Sequence, residues 1–135
     1  MQPRDKFFTA LFDIRSAASP SGADNVEIVR AKGWLNADGM ESLRLALTTC
    51  ARRGTWRYVV DLSRVKRMDS PGLGMLVSAL RTIHDLGGTV GLVTDSPRFQ
   101  RILELCARSR SCNIYNSASD ALAALQALTR PKSAA

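Results

Sequence analysis

Aromatic residues make up only 6% of this 135-residue sequence, and that scarcity argues first against a nucleic-acid reader. Proteins that hold single strands set the bases on aromatic platforms inside a basic groove. The few aromatics here lie mostly in strand-like segments, so no direct nucleic-acid partner is expected. Histidine is scarcer still, with His84 alone. Neither it nor the spacing of Cys106 and Cys112 makes a zinc site, and no metal or cofactor is expected. The three cysteines, Cys50, Cys106 and Cys112, are odd in number. Cys50 and Cys106 fall on the apolar faces of helical segments, which fits buried thiols in a reducing cytosol. Long apolar runs are missing too. Stretches such as Ala121 to Leu125 fall far short of the roughly 20 residues a spanning helix needs. The opening Met1-Gln-Pro-Arg-Asp-Lys lacks the apolar stretch of a signal peptide. A cytoplasmic protein without membrane insertion is the expectation.

What is present suits a globular domain. Apolar residues reach 45% and charged residues 23%, enough core and not too much charge for a folded chain. At this length the expectation is one domain over residues 1–135, with its core about 7–129 and a loose tail at 130–135. Nineteen Lys and Arg against twelve Asp and Glu leave a formal charge of +7, which favours an acidic partner surface, anionic headgroups or nucleic acid. The cations are spread along the chain. Arg64, Lys66 and Arg67 form the densest group, and Arg98, Arg101, Arg108 and Arg110 a looser one.

The periodicity alternates. Phe7 to Ile14 reads as a strand, Arg15 to Asp24 as a loop, and Asn25 to Leu35 as a second strand. Met40, Leu43, Ala46, Leu47 and Cys50 then make one helical stripe, closed by Arg52, Arg53 and Gly54. Tyr58 to Leu62 is a short, continuous apolar strand of the kind covered on both sides. After a brief loop, Ser70 to Leu86 is the strongest helix, with Leu73, Leu76, Val77, Leu80 and Ile83 on one face and Gly87-Gly88 at its end. Val90 to Thr94 is another buried strand. Ser96-Pro97 opens a helix with Phe99, Ile102, Leu103 and Cys106 inward. Asn113 to Tyr115 is the last strand. Ser117, or Ser119 with Asp120, opens a final helix that turns Ala121, Leu122, Leu125 and Leu128 inward. The order ββαβαβαβα implies an α/β fold: a mixed, mostly parallel sheet of about five strands with four amphipathic helices, its first two strands antiparallel.

The segment Val60-Asp-Leu-Ser-Arg-Val-Lys-Arg-Met-Asp-Ser-Pro-Gly-Leu-Gly74 carries the chemistry. A buried strand ends and the chain turns to deliver Asp69 and Ser70 to a helix mouth. Ser70 suits the N-cap, because its hydroxyl accepts from the free amides of the first turn. Pro71 suits the first helical position. Gly72 and Gly74 each cost about 1 kcal/mol relative to alanine inside a helix, and a bare mouth that another protein can approach would explain them. Capping alone would also account for Ser70, so both roles stand at this point.

The pattern Asp61-Leu-Ser-x-Val-x-x-Met-Asp-Ser-x-Gly-Leu-Gly74 resembles the central motif of the STAS family, the anti-sigma-factor antagonists. Gly33-Trp-Leu35 resembles the family's close of the second strand, and Gly87-Gly88 and Ser96-Pro97 also fall where the family has them. The resemblance covers roughly residues 25–128. It implies a STAS-like fold and a protein-binding switch. The serine after the motif's aspartate, here Ser70, would be phosphorylated by a serine kinase that is itself the anti-sigma factor. A metal-dependent serine/threonine phosphatase would reset it. The implied docking patch is Asn36, Arg67, Asp69, Ser70, Pro71, Gly72, Leu73 and Gly74. Two positions depart from the family. Pro71 stands where a small hydroxyl residue is common, and Asn36 where phosphorylated members often carry an aspartate. Arg64, Lys66 and Arg67 either steer the kinase or screen the phosphate, or form a solvated basic loop.

Intrinsic catalysis is not expected. Ser70 and His84 lie fourteen residues apart on one helix, about 21 Å at 1.5 Å per residue, so they share no proton. No Gly-x-Ser-x-Gly elbow, phosphate-cradling loop or dinucleotide fingerprint is present. The alternative within the family is an unphosphorylated STAS subunit, held as a structural adaptor in a lipid-transport ATPase or a signalling complex.

Overall fold

The computed structural model of the protein describes residues 11–17, 26–106 and 112–128. In chain order they form β1 (Leu11–Ala17), β2 (Val26–Leu35), α1 (Ala37–Arg52), β3 (Arg57–Met68), α2 (Ser70–Asp85), β4 (Thr89–Val93), α3 (Pro97–Cys106), β5 (Cys112–Tyr115) and α4 (Ala118–Gln126). The strands make one sheet in the order β1-β2-β3-β4-β5. β1 runs antiparallel to β2, and every other neighbouring pair is parallel. The α/β fold, the element order and the mixed sheet expected from periodicity are therefore all present.

The two faces of the sheet bury different things. On one, Val29, Ala31 and Leu35 of β2, Tyr58, Val60 and Leu62 of β3, and Leu92 of β4 meet the inward stripes of two helices. α1 contributes Met40, Leu43, Leu47 and Cys50, and α2 contributes Leu76, Ala79, Leu80 and Ile83, with Leu103 of α3 joining them. On the other face, Val26, Val59 and Val93 pack against Ala121 and Leu125 of α4. Coverage on both sides is why Tyr58, Val59 and Val60 follow one another near the start of β3, all buried. Helix ends follow their residues. Gly54 (φ +96°) and Gly87 (φ +86°) take left-handed backbones just past α1 and α2. In each case the next amide reaches back, Thr55 to the Cys50 carbonyl at 3.1 Å and Gly88 to the Ile83 carbonyl at 2.8 Å, which satisfies carbonyls that the helix leaves open.

Several boundaries differ from the sequence expectation. β1 includes Arg15 to Ala17, expected as loop, because their backbone pairs with Val26 to Ile28 and ladder pairing overrides weak strand propensity. Phe7 to Ala10 and the tail at 130–135 lie outside the described residues, as do residues 18–25. The larger correction is β3. Ser63 to Met68, expected as a brief loop, extend the strand and pair with Lys32 to Leu35. Register shifts between Arg30 and Lys32 and between Gly33 and Trp34 each set an extra β3 residue against β2. The buried residues Leu62 and Val65 are therefore three apart, which hides the two-residue strand period. Leu128, expected inward, is exposed at 43% because α4 stops at Gln126. That end is held by Arg57, whose buried guanidinium donates to the carbonyls of Leu125 and Leu128 at 3.2 and 3.3 Å.

Two leucines of the α2 region separate core from surface. Leu76 is wholly buried and Leu86 is 60% exposed. Leu76→Ala is expected to lower unfolding free energy by about 2–5 kcal/mol. Leu86→Ala should change it by less than about 0.5 kcal/mol, both measured by urea titration.

Candidate functional site

β2 and β3 end side by side, with Leu35 opposite Met68 in the register, and each strand passes directly into a helix. Asn36 caps α1: its side-chain oxygen accepts from the Gly39 amide at 2.9 Å. Asp69 caps α2: one carboxylate oxygen accepts from the Gly72 amide at 2.8 Å, and its carbonyl accepts from the Leu73 amide at 2.9 Å. Two helix N-termini thus open side by side at the C-terminal end of two neighbouring strands. Their aligned peptide dipoles make that end electropositive.

This arrangement corrects the role expected for Ser70. The cap is Asp69, and Ser70 is the first helical residue with Pro71 second. A carboxylate one residue earlier reaches the same amide with a stronger, charge-assisted acceptor. The consequence is chemical. The Ser70 hydroxyl is not consumed by capping, and the residue is exposed. Pro71 is exposed beside it and has no amide hydrogen.

Gly72 is also corrected. It is buried, and a Cβ there would overlap the Leu35 carbonyl oxygen and come within 2.9 Å of the Leu35 carbonyl carbon and 3.0 Å of the Asp69 carboxylate. Its bareness lets α2 lie against the end of β2 and serves the fold itself. Gly74 does match the expectation of a bare surface, being exposed with open space where a side chain would stand. Leu73 is half-buried and packs on the core. The structure brings Asn36, Asp69, Ser70, Pro71 and Gly74 to one rim. Arg67 is exposed and stacks on Trp34, its guanidinium carbon 4.7 Å from the ring centre.

Other reactive groups are remote or quiet. Burial pushes the Cys50 thiol up from its ordinary pKa, which suppresses the reactive thiolate. His84 sits at the far end of α2 from Ser70. Among the described residues, no group of three or more His, Cys, Asp or Glu side chains is placed to hold a metal, and no helix is long and apolar enough to cross a membrane.

A family model described as Mlab, STAS domain, matches residues 18–110, more than half the chain. The chain belongs to the STAS-domain family. Among its relatives, a protein of Thermotoga neapolitana named as a homologue of an anti-sigma factor antagonist is 32% identical over 74 residues, 55% of this chain and 66% of that protein. The chain thus spans just under two thirds of that relative. The anti-sigma F factor antagonist of Paenibacillus polymyxa is 26% identical over 105 residues, 77% of this chain and 90% of that protein. In three dimensions this STAS domain resembles the antagonist SpoIIAA in its unphosphorylated form, with TM-score 0.68, 17% identity and coverage of 87% and 100% of the two chains. The Bacillus SpoIIAA in phosphorylated form gives TM-score 0.64, 17% identity and coverage of 84% and 98%. At that identity the likeness shows the fold. The family read from the 61–74 motif is thus the family found.

The two glycines of the STAS motif are expected to respond with opposite signs. Gly72→Ala should destabilise by about 2 kcal/mol or more, since it drives a methyl into backbone that cannot yield. Gly74→Ala should stabilise by about 0.4–1 kcal/mol, having helical backbone and open space. Chemical denaturation of both variants measures the difference.

Proposed function

We propose that this STAS protein is a cytoplasmic anti-sigma-factor antagonist. In this reading it docks on an anti-sigma factor with serine-kinase activity through the rim at Asn36, Arg67, Asp69, Ser70, Pro71, Leu73 and Gly74, with Gly72 setting the approach of α2 beneath it. It acts by binding and not by catalysis. The observation that carries the reading is the exposed, uncommitted hydroxyl of Ser70 at the tip of α2, with capping assigned to Asp69. The antagonist names of the Thermotoga neapolitana and Paenibacillus polymyxa relatives support it.

The switch follows from local charge. A phosphate on Ser70 adds about −1.5 to −2 charges next to the Asp69 carboxylate. Its own helix gives it the field of an N-terminus but few free donors: Pro71 has no amide hydrogen, and the Gly72 amide is already bonded to Asp69. The charge therefore stays on the surface and meets a partner shaped for a neutral hydroxyl. A loss of about 3 kcal/mol there lowers affinity more than about a hundredfold. Removal of the phosphate by a metal-dependent phosphatase restores docking.

A second reading is favoured by the matching family model, whose description is Mlab and names no antagonist. In it the same rim is held permanently in a lipid-transport ATPase or a signalling complex, and Ser70 is a contact residue that is never modified.

One experiment separates the two. The protein is incubated with its candidate anti-sigma kinase and ATP, and intact masses are compared. Wild type is expected to gain one phosphate and Ser70→Ala none. Calorimetry should show Ser70→Ala binding the kinase within about threefold of wild type, and the phosphoprotein weaker by at least about a hundredfold. A phosphate on both forms would move the site elsewhere. Co-purification with transporter subunits, without modification, would establish the second reading.

A further inference from the structure

The face of the sheet opposite α1 and α2 changes character along β2 and β3. At their start Val26, Ile28 and Val59 lie under α4. Farther along, the same side of β2 carries Arg30, Lys32 and Trp34, alternating with the inward Val29, Ala31 and Leu35. β4 pairs with β3 only from Arg57 to Asp61, so β3 runs on past its neighbour with exposed Arg64, Lys66 and Arg67. The register sets Arg30 against Asp61, Lys32 against Arg64, and Trp34 against Arg67. Asp61 and Arg30 approach at 3.9 Å. Among the residues whose side chains are described, no carboxylate lies within ion-pairing distance of Lys32, Arg64, Lys66 or Arg67, and on the β1 side the register sets Asp13 against Arg30.

Like charges directly opposed on neighbouring strands work against the sheet, so Lys32 facing Arg64 weakens the fold unless an anion lies over them. We infer that this strip is a docking surface for an acidic segment of a partner polypeptide. Three features favour that occupant. The cations are strung along the strands, over about 13 Å of β2 at about 3.3 Å per residue, and do not converge on one point as a single-phosphate site would. The strip's aromatic ring, Trp34, is covered by Arg67 and offers no open platform for a base. Among the residues whose side chains are described, the exposed large apolar ones, Leu45, Leu86 and Leu128, stand on or beside helices outside the strip, which gives a bilayer less to hold than a charged chain. Carboxylates repeated along an extended chain match the remaining geometry. The inference stands whether or not Ser70 is modified.

The test uses the full chain and a fluorescent poly-glutamate peptide of about twenty residues, long enough to run the length of the strip, followed by anisotropy at low and physiological salt. Paired Arg64→Glu and Lys66→Glu substitutions are expected to weaken binding at least about tenfold, since each reverses a contact charge. Arg81→Glu with Arg101→Glu makes the same change in net charge on exposed positions of α2 and α3 and should weaken it less than about threefold. Ser70→Ala should bind as wild type does. Arg64→Gln with Lys66→Gln, checked by circular dichroism, gives the same order with a smaller effect if the reversed pair misfolds. Equal losses in the strip and control pairs would show attraction by net charge alone and overturn the inference. So would absence of peptide binding at low salt. Tighter binding of an oligothymidine or of phosphatidylglycerol vesicles, lost in the same strip variant, would replace the polypeptide with another occupant.

Discussion

The first turn of α2 lies against the carbonyl of Leu35, and the site depends on that contact. Gly72 is the residue that permits it, because any side chain there would overlap the backbone at the end of β2. The contact sets where α2 begins relative to β2 and hence where Ser70 projects. Asp69 completes the arrangement by holding the Gly72 amide. Close backbone approach and capping are thus one local structure, and the exposed hydroxyl is its outcome. A glycine that a surface argument would credit to a partner is used inside the fold.

The division of labour between Asp69 and Ser70 matters for chemistry. A hydroxyl tied up as a cap has its lone pairs engaged and its side chain turned to the helix axis. With the cap supplied by a carboxylate, the neighbouring hydroxyl is left to solvent and to other proteins. Pro71 adds a second effect. It removes an amide from the helix mouth, so a charge placed on Ser70 is poorly neutralised by its own helix and acts outward. The departure from the family pattern at Pro71 therefore bears on how strongly a phosphate would be felt, and leaves access to the serine unchanged.

α4 covers only part of the sheet face it packs on, and β3 outruns β4. These two facts together expose a strip whose residues come from both strands. Arg64, Lys66 and Arg67 stood out in the sequence as a basic group, but as loop. Lys32 and Trp34 did not stand out, although Arg30, Lys32 and Trp34 repeat at the two-residue period of a strand. Nothing local says that Lys32 will face Arg64. That pairing is a matter of register, and the register shifts twice within a few residues.

Much was legible without coordinates because it depends on short-range pattern. Stripes such as Met40, Leu43 and Leu47 marked the core faces of helices, Gly54 and Gly87 marked their ends, and Ser96-Pro97 one of their starts, with Ser117 one of two candidates for the last. Strand and helix alternation then fixed a mostly parallel sheet, since parallel neighbours need crossovers. The 61–74 motif named the family. Other features were decided in three dimensions. The burial of Gly72 against the Leu35 carbonyl and the pairing of Ser63 to Met68 with β2 each depend on backbone distant in sequence. The end of α4 near Leu128 is held by the distant Arg57 side chain, and the choice of Asp69 over Ser70 as cap turns on where α2 begins. Periodicity reports which way a side chain faces relative to its near neighbours. It carries no information on which carbonyl, strand or helix end will be brought against it, and those meetings place Ser70 at the open rim of the fold.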